Sequence, residues 1–391
     1  MKVLQACTRF PPAPGGAEIH VMSISQELVE RGYDLKVFTS DLYMEIPFKR
    51  MDSWDKVQKN VPVQRFKAYT MGGNLHYLFF PAMTTAILKE DVDVIHTHSY
   101  GYFQNNVGAM NKKLRDTPFV ITTHYHPPWS MWGGPKRKQI RQIYDKLIAP
   151  SVIHSADIII GVSRHEIELL NKVIPLDQDK IRYIPNGIHF DKYDPIPDPS
   201  PFLKEYKPGR PLILYVGRLA SNKGLETLVD SAPAVLKEFP KATFALVGED
   251  EGMKEILEKK LKKYGIAKHF IFTGHIMDIT LFRSSFSACD LFVLPSEWEA
   301  FGIVLCEAMA CEKPCVGTRV GGVPEVIGKE QKTGLIVEYA DPKQLASAMI
   351  ELLGDDKRRK IMGRLGRKRV QAKFTWKKVV DQIEEVYKEI T

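Results

Sequence analysis

The sequence predicts an α/β protein built from two Rossmann-like domains. Apolar, strand-like runs alternate with amphipathic, helix-like segments along nearly the whole chain, which is the pattern of parallel sheets covered by helices. A polar, proline-containing run over residues 191–211 separates two such series and has the composition of an interdomain linker. A chain of 391 residues is long for one hydrophobic core and suits two domains of roughly 180 to 200 residues each.

The first half of the chain begins with a βαβ pattern. Residues 3–7 form a short apolar run, residues 17–31 an amphipathic helix, and residues 34–39 the next strand. This order implies a parallel sheet with right-handed crossovers. Gly15 and Gly16 lie between the first strand and the helix, where such sheets bind ligands and where glycines let a backbone approach a ligand closely. A plain turn explains the pair at least as well.

Two neighbouring strands, over 91–98 and 119–123, each end in a His-x-His pair. The histidines concerned are His96, His98, His124 and His126. Imidazoles on adjacent strands can in principle form a zinc site. Since no carboxylate or cysteine lies near them in the sequence, we interpret most of them as packing or hydrogen-bonding side chains.

A basic helix is predicted over residues 133–146, with Lys136 near its start and Trp129 and Trp132 before it. A basic helix flanked by aromatic residues is typical of segments that lie on a membrane surface. A solvated charged helix explains the same pattern. The strands predicted next, over 157–163 and 181–184, lead to a turn at Pro185-Asn186-Gly187.

The second series of elements opens with a strand at 212–216, followed by a loop that contains Arg218 and Lys223. Two cations in a loop at the carboxyl end of a strand form a phosphate-binding clamp. Two unrelated surface cations are the alternative. Further strands are predicted at 243–247, 270–272 and 334–337, and helices at 343–353, 356–373 and 376–390.

The stretch 290–325 carries the strongest chemical signal. An apolar strand at 291–294 enters a loop, and Gly302 then opens a helix. The free N–H groups of Gly302 to Val304 and the positive end of the helix dipole form an anion site. Glu299 and Glu307 lie on either side of this site, and carboxylates accept hydrogen bonds from sugar hydroxyls. The layout suits a nucleotide-sugar; a helix with solvent-facing glutamates is the alternative.

These motifs together resemble the retaining glycosyltransferases of family 4, which have the GT-B fold. The E-x7-E pattern of 299–307, the G-R-x4-K-G loop of 217–224, the G-G-x-E loop of 15–18 and the P-N-G turn carry the resemblance, which covers nearly the whole chain. It implies an acceptor-side domain over 1–190 and a nucleotide-sugar-binding domain over 191–374, facing each other across a cleft. A final helix over 375–391 would cross back to the first domain.

The resemblance also implies a reaction. A hexosyl unit would move from a UDP- or GDP-linked sugar to an acceptor hydroxyl, with retention of configuration and without a metal or other cofactor. The expected catalytic residues are His124, Glu299, Arg218 and Lys223. The expected donor-binding residues are Gly15, Gly16, Asn186, Arg218, Lys223, Glu299, Phe301, Gly302, Ile303, Val304 and Glu307.

The acceptor and the cellular setting are less constrained by the sequence. The net charge of +8 and the basic segment around Lys136 favour a lipid-linked or membrane-surface acceptor, with a small soluble polyol as the alternative. A nucleotide-sugar 2-epimerase and a non-catalytic nucleotide-sugar sensor are the other functions considered. The five cysteines are expected to be buried thiols. We recognise no nucleic-acid motif, signal peptide or membrane span in the sequence. We therefore expect a cytoplasmic enzyme, peripheral on the cytoplasmic face of the membrane if the acceptor is lipid-linked.

Overall fold

The computed structural model describes residues 1–45, 48–53, 56–71, 77–127, 134–328 and 330–391. The chain divides into two compact units. Unit one consists of Met1–Gly187 and Trp376–Thr391, and unit two is Ile188–Thr375. Each unit is an α/β domain built around a parallel sheet, which confirms the predicted fold class.

Unit one alternates strands and helices from its first residues. Its strands are β1 (Lys2–Ala6), β2 (Asp34–Ser40), β3 (Leu42–Met44), β4 (Lys49–Arg50), β5 (Val57–Gln58), β6 (Val61–Phe66), β7 (Tyr69–Met71), β8 (Tyr77–Phe79), β9 (Val94–His98), β10 (Phe119–Thr122), β11 (Ile158–Gly161) and β12 (Ile181–Tyr183). Its helices before the chain enters unit two are α1 (Gly16–Glu30), α2 (Pro81–Lys89), α3 (Phe103–Arg115), α4 (Gly134–Leu147), α5 (Ala149–Ser155) and α6 (Arg164–Val173).

The main sheet of unit one has the strand order β12-β11-β10-β9-β1-β2-β6-β5 among the described residues. All neighbours are parallel except β5 and β6. From β1 the chain first builds the sheet on one side, through β2, and later continues on the other side with β9. The loops that follow β1 and β9 therefore separate at a topological switch point, which is where open α/β sheets bind ligands.

Unit two carries a second sheet of the same kind. Its strands are β13 (Leu212–Val216), β14 (Thr243–Val247), β15 (Phe270–Gly274), β16 (Leu291–Leu294), β17 (Cys315–Thr318) and β18 (Gly334–Val337). Its helices are α7 (Ser200–Tyr206), α8 (Leu225–Glu238), α9 (Lys254–Tyr264), α10 (Ile279–Ala288), α11 (Ile303–Ala310), α12 (Val323–Ile327), α13 (Pro342–Leu353) and α14 (Asp356–Lys373). The order β15-β14-β13-β16-β17-β18, parallel throughout, is that of dinucleotide-binding sheets, with its switch point between β13 and β16.

The last helix, α15 (Trp376–Ile390), belongs to unit one. Its apolar stripe, which includes Val379 and Ile383, enters the same core as the apolar face of α1. At the edge of this contact Arg31, the residue that caps the end of α1, forms an ion pair with Glu384, at 2.6 Å. The helical periodicity of this segment is therefore explained by packing within unit one.

The prediction that residues 191–211 form an interdomain linker is wrong for part of the run. The run contains helix α7, and its Phe202 is fully buried. The backbone N–H of Phe202 donates to the Ser284 hydroxyl of α10, at 3.1 Å. Polar composition concealed this element because a single large apolar side chain is enough to dock a short helix on a neighbour.

Three further predictions concern the cysteines, membrane-spanning helices and the predicted membrane-surface segment. The five cysteines are buried free thiols, as the sequence predicts. Every helix in the described ranges is too short or too polar to cross a bilayer. Trp129, Trp132 and Gly133, which belong to the predicted membrane-surface segment, lie outside the described residues.

Candidate active site

The loop after β13 is anchored to the loop after β14. The Leu219 N–H donates to the Glu249 carbonyl at 2.8 Å, and the Glu251 N–H donates to the Leu219 carbonyl at 3.0 Å. Gly248, with φ of 150°, allows this approach, because a Cβ there would lie 2.0 Å from the Gly217 carbonyl oxygen. The two loops therefore form one backbone platform at the carboxyl edge of the sheet.

This platform places Arg218 against Glu251. One guanidinium nitrogen, Nη1, lies 2.7 and 2.8 Å from the two carboxylate oxygens. The side chains of Arg218 and Glu251 are 56% and 43% exposed, and an exposed ion pair contributes only about 0–1 kcal/mol. Exchange of this carboxylate for a phosphate would therefore cost little. Sequence reasoning assigned no role to residues 248–252 and missed Glu251.

Lys223 and Glu299 are in direct contact. Lys223 Nζ lies 2.5 Å from Glu299 Oε1, and the Ser296 hydroxyl donates to the same oxygen at 3.1 Å. The side chain of Lys223 is only 15% exposed and that of Glu299 only 17%. The Glu297 N–H also donates to the Asn222 carbonyl at 2.9 Å. The structure thus joins the loops after β13 and β16 at the switch point of unit two.

The glycine turn after β17 supports the loop that carries Glu299. The Gly322 N–H donates to the Glu299 carbonyl at 2.9 Å. Gly321 has φ of 49°, and a Cβ there would lie 1.6 Å from the same carbonyl oxygen. The Gly321-Gly322 pair is therefore required for close backbone contact with this loop.

Helix α11 begins at Ile303, with Gly302 as its N-cap in a left-handed conformation, φ 93°. The first N–H groups of a helix have no acceptor within the helix and lie at the positive end of its dipole. Ile303 and Val304 are only partly buried, so this end is accessible within unit two. Phe301 is different: its side chain is buried and contacts the Phe374 ring edge-to-face at 5.5 Å. Because the Phe301 side chain is buried, only its backbone could contact a nucleotide-sugar.

Glu307 accepts a hydrogen bond from Tyr193. The Tyr193 hydroxyl lies 2.7 Å from Glu307 Oε1. Burial raises the pKa of Glu307 to about 7, and the hydrogen bond and the charge of Arg283 limit that rise. Burial also raises the pKa of Tyr193, so this phenol remains a donor. Sequence reasoning missed Tyr193 because it lies in the run interpreted as a linker.

In unit one, His124 follows β10 in a left-handed backbone conformation, φ 40°. Strained non-glycine conformations of this kind are concentrated at functional sites. Burial lowers the pKa of His124 to about 3, so its imidazole is neutral at pH 7. Its ring lies 4.6 Å from the His20 ring, edge-to-face, and 6.3 Å from the His98 ring.

Asn186 is buried and holds His20. Its Oδ1 lies 2.6 Å from His20 Nδ1, and the following Gly187 packs on the first residue of α15, Trp376. The P-N-G turn therefore has a structural role in unit one. His20 was missed by sequence reasoning; a histidine beside Val21 on the apolar face of an amphipathic helix is the signal that identifies it.

The G-G-x-E loop is organised around a buried carboxylate. Glu18 forms an ion pair with Arg9, at 2.6 Å, and burial raises the pKa of Glu18. Gly15 caps α1 with φ of 149°, and a Cβ there would lie 2.0 Å from Glu18 Oε2. Gly16 is the first residue of α1. Arg9 was also missed, because it precedes the loop as an isolated cation.

The expected site residues thus fall into two groups. Gly15, Gly16, His124 and Asn186 belong to unit one, and Arg218, Lys223, Glu299, Phe301, Gly302, Ile303, Val304 and Glu307 belong to unit two. Within unit two, the structure brings Lys223 and Glu299 into contact. Within unit one, it links Asn186 to His124 through His20.

Comparison with known proteins supplies matches over most of the chain. A sequence profile described as Glycosyltransferase Family 4 matches residues 14–192, and one described as Glycosyl transferases group 1 matches residues 201–369. An uncharacterised glycosyltransferase of Methanocaldococcus jannaschii is 27% identical over 100% of this chain and 99% of its own.

Two further relatives have named activities. The gpi3 subunit of phosphatidylinositol N-acetylglucosaminyltransferase from Schizosaccharomyces pombe is 26% identical over 97% of this chain and 79% of its own. The N-acetyl-alpha-D-glucosaminyl L-malate synthase of Bacillus anthracis is 26% identical over 97% and 95% of the two chains.

Solved structures show the same fold. Sucrose-phosphate synthase from Thermosynechococcus elongatus superposes with a TM-score of 0.81, at 24% identity, over 99% of this chain and 98% of its own. An Anabaena protein in complex with UDP and glucose gives a TM-score of 0.77, at 21% identity, over 100% of both chains. These likenesses confirm the GT-B fold predicted from the sequence.

Proposed function

Because the chain belongs to glycosyltransferase family 4, we propose that it is a retaining hexosyltransferase with a UDP- or GDP-linked sugar as donor. The observation that carries the proposal is the contact between Lys223 and Glu299 at the switch point of unit two. There a cation suited to phosphate lies beside a carboxylate suited to sugar hydroxyls. The solved Anabaena relative binds UDP, which supports a nucleotide-sugar donor.

The proposed donor site uses charge in three places. Arg218 and Lys223 neutralise the diphosphate, and the N–H groups at the start of α11 contact one of its oxygens. Glu307 accepts hydrogen bonds from the ribose, and Glu299 from the transferred sugar. Arg218, Lys223 and the N–H groups stabilise the negative charge that grows on the leaving diphosphate, which is where electrostatic catalysis acts.

The proposed reaction is same-face substitution at the anomeric carbon. The bond from this carbon to the diphosphate oxygen breaks, and a bond to the acceptor oxygen forms on the same face. The proton of the acceptor hydroxyl passes to an oxygen of the leaving diphosphate, so the protein need not supply a base. His124, neutral at pH 7, contacts the hydroxyls of the donor sugar without adding a positive charge beside its oxocarbenium-like centre.

The donor is tested by thermal unfolding in the presence of UDP-, GDP- and ADP-sugars. A ligand at 100 times its dissociation constant adds about 2.7 kcal/mol of stability. We expect one nucleotide to raise the midpoint of the wild type and Arg218→Ala to lose most of that shift. Arg210→Ala is the matched control, since Arg210 pairs with Asp290 at the amino ends of the same strands, β13 and β16. If no nucleotide shifts the wild type, the donor site is wrong.

For the acceptor we propose a lipid-linked sugar or lipid headgroup at an anionic membrane surface. Ile143 and Leu147 lie one turn apart on α4 and are exposed, Leu147 by 70%. Ile148 and Lys146, also exposed, extend this surface. Apolar and cationic side chains on one helix match the interface of an anionic bilayer. The relative named for phosphatidylinositol supports a lipid acceptor, and the malate synthase relative supports the alternative of a small soluble acceptor.

The membrane proposal is tested by sedimentation with phosphatidylcholine vesicles, with and without phosphatidylglycerol. We expect binding to the anionic vesicles at low salt and its loss in the double variant Ile143→Ser, Leu147→Ser. The matched control is Ile256→Ser, Met277→Ser, which removes two exposed apolar side chains from unit two. Absence of wild-type binding at low salt would overturn the membrane proposal and leave a soluble acceptor.

A further inference from the structure

Three buried or partly buried histidines of unit one converge on one point. His20 of α1, His98 at the end of β9 and His124 after β10 each place one possible ligand atom within 4.8 Å of the other two. Among the described residues, His20 Nε2, His98 Nδ1 and His124 Nε2 are buried nitrogens without a hydrogen-bond partner. Unpaired buried polar atoms are rare in proteins and call for an explanation such as an ion.

The hydrogen bonds of His20 fix which of its nitrogens carries the proton. Asn186 Oδ1 is an acceptor, so His20 Nδ1, at 2.6 Å, is the donor. The neutral imidazole then has its lone pair on Nε2, the atom that lacks a partner. A metal-binding histidine shows the same arrangement, with its second nitrogen donating to a carbonyl or carboxylate oxygen.

His98 is oriented in the same way by a longer chain of contacts. Its Nε2 contacts Gln5 Oε1, and Gln5 Nε2 donates to the Tyr387 hydroxyl at 2.9 Å. The Tyr387 hydroxyl in turn lies 2.7 Å from His96 Nδ1. This chain directs the oxygen of the Gln5 amide towards His98, so His98 Nε2 donates and the lone pair lies on Nδ1.

We propose that His20, His98 and His124 form a binding site for a divalent transition-metal ion of the zinc class. Imidazole nitrogen is a preferred ligand of such ions, and three protein ligands leave a fourth position open. Asn186 and Gln5 are the outer partners that orient two of the ligands. Sequence reasoning considered the His-x-His pairs but not His20, which supplies the third ligand in place of His96 or His126.

The geometry requires a small closure. Zinc–nitrogen distances of 2.0–2.1 Å place tetrahedral ligand atoms about 3.4 Å apart, whereas the candidate atoms are up to 4.8 Å apart. The widest separation allowed would have to close by about 1.4 Å. His124 supplies part of this movement, since it is the partly exposed member and stands on a loop rather than inside a strand. The ion would bind His124 through Nε2, its buried nitrogen without a hydrogen-bond partner.

This site has a consequence for transfer that, unlike the site itself, rests on the proposed function. An ion bound to His124 would remove that imidazole from the donor sugar. Excess zinc would therefore inhibit glycosyl transfer, and a chelator would restore it. The transfer reaction itself takes place without the ion.

The test is a titration of tag-free, chelator-treated protein with Co²⁺, followed by its visible absorption, and with Zn²⁺, followed by competition with a chromogenic chelator. We expect one ion per chain in the wild type and loss of stoichiometric binding in His20→Ala and His124→Ala. His154→Ala is the matched control, because His154 is an exposed histidine of the same unit. Thermal unfolding without metal establishes that each variant is folded.

A second variant keeps the test decisive if a histidine variant unfolds. Asn186→Ala leaves all three ligands in place and removes one outer partner, so its affinity should fall about 10- to 100-fold with stoichiometry unchanged. Failure of the wild type to bind either ion, or equal binding by the histidine variants, would overturn the site. Stoichiometric binding by a protein that transfers sugar from none of the donors would uphold the metal site and overturn the proposed function.

Discussion

Lys223 Nζ lies 2.5 Å from Glu299 Oε1, and this ion pair joins the loops that follow β13 and β16. The two strands are neighbours in the sheet but are separated in sequence by β14 and β15. The pair therefore exists only because the strand order reverses at this point. It places the cation that we propose for phosphate binding within one hydrogen bond of the carboxylate that we propose for sugar binding.

We expect Lys223→Met and Glu299→Gln each to lower kcat/KM for the donor by about 100-fold, since each removes charge that stabilises the leaving group or the sugar. Because the two side chains contact each other, their effects should not add. A double-mutant cycle on initial transfer rates should give a coupling of about 0.5–3 kcal/mol. Strictly additive effects would mean that the pair does not act as a unit. The control is Lys260→Met, which removes a lysine of α9 that pairs with Asp230 of α8.

Removal of Glu251 should strengthen donor binding. Arg218 is paired with Glu251, and that contact must be replaced when a diphosphate binds. Glu251→Ala should therefore lower the Kd for the nucleotide by up to about fivefold, in line with the small free energy of an exposed pair. Isothermal titration at low and high salt measures this effect.

The control for Glu251 is Glu255→Ala, which breaks an exposed pair with Lys259 on α9. Its Kd should equal that of the wild type. A weaker affinity in Glu251→Ala would show that Glu251 positions Arg218 for the donor instead of competing with it.

Gly321→Ala and Gly265→Ala separate backbone strain from steric contact. Both glycines have positive φ, 49° and 68°. A Cβ at Gly265 would meet nothing within 4 Å, whereas one at Gly321 would lie 1.6 Å from the Glu299 carbonyl oxygen. Gly265→Ala should cost about 1–2 kcal/mol of stability and leave transfer unchanged.

Gly321→Ala should cost more stability and also displace Glu299, with a loss of kcat. Urea unfolding and initial rates measure the two quantities. Equal behaviour of the two variants would mean that the turn after β17 does not support the Glu299 loop.

Stability should depend on the ionisation of Glu307. Its pKa is raised from 4.5 to about 7 by burial, so the native state binds more protons than the unfolded state between these values. The free energy of unfolding therefore falls as pH rises through this window, by roughly 3 kcal/mol from this group. Glu307→Gln should remove that loss.

The measurement is the difference in unfolding free energy between Glu307→Gln and the wild type across pH 4.5 to pH 8. The difference should shift in favour of the variant as pH rises. Glu166 of unit one, whose pKa burial also raises to about 7, is present in both proteins and cancels. A pH-independent difference would contradict the raised pKa of Glu307.

Most strands of both sheets were predictable because buried parallel strands are short apolar runs bounded by glycine or polar residues. β5 and β6 of the first sheet were not predicted. The runs at β13, β14 and β16 were predicted with their observed ends. The start of α11 was predictable from Gly302, whose left-handed conformation ends the preceding loop. Helix α7 was missed because its only strong apolar anchor, Phe202, stands in a proline-rich run.

Partners of the site residues were not predictable. Glu251, Tyr193 and His20 contact expected site residues, but each is separated from its partner by tens to more than a hundred positions in sequence. A single sequence shows local periodicity and turn chemistry. It does not show which distant loops a sheet brings to the same edge.

The sequence by itself determined the two parallel-sheet domains and the positions of the motifs proposed to bind phosphate and sugar, because strand apolarity, helix starts and loop glycines are local properties. Only the tertiary structure decided that Lys223 meets Glu299, that Tyr193 holds Glu307, and that His20 joins His98 and His124. These contacts follow from strand order, since neighbouring strands align their carboxyl ends at one edge whatever their separation along the chain.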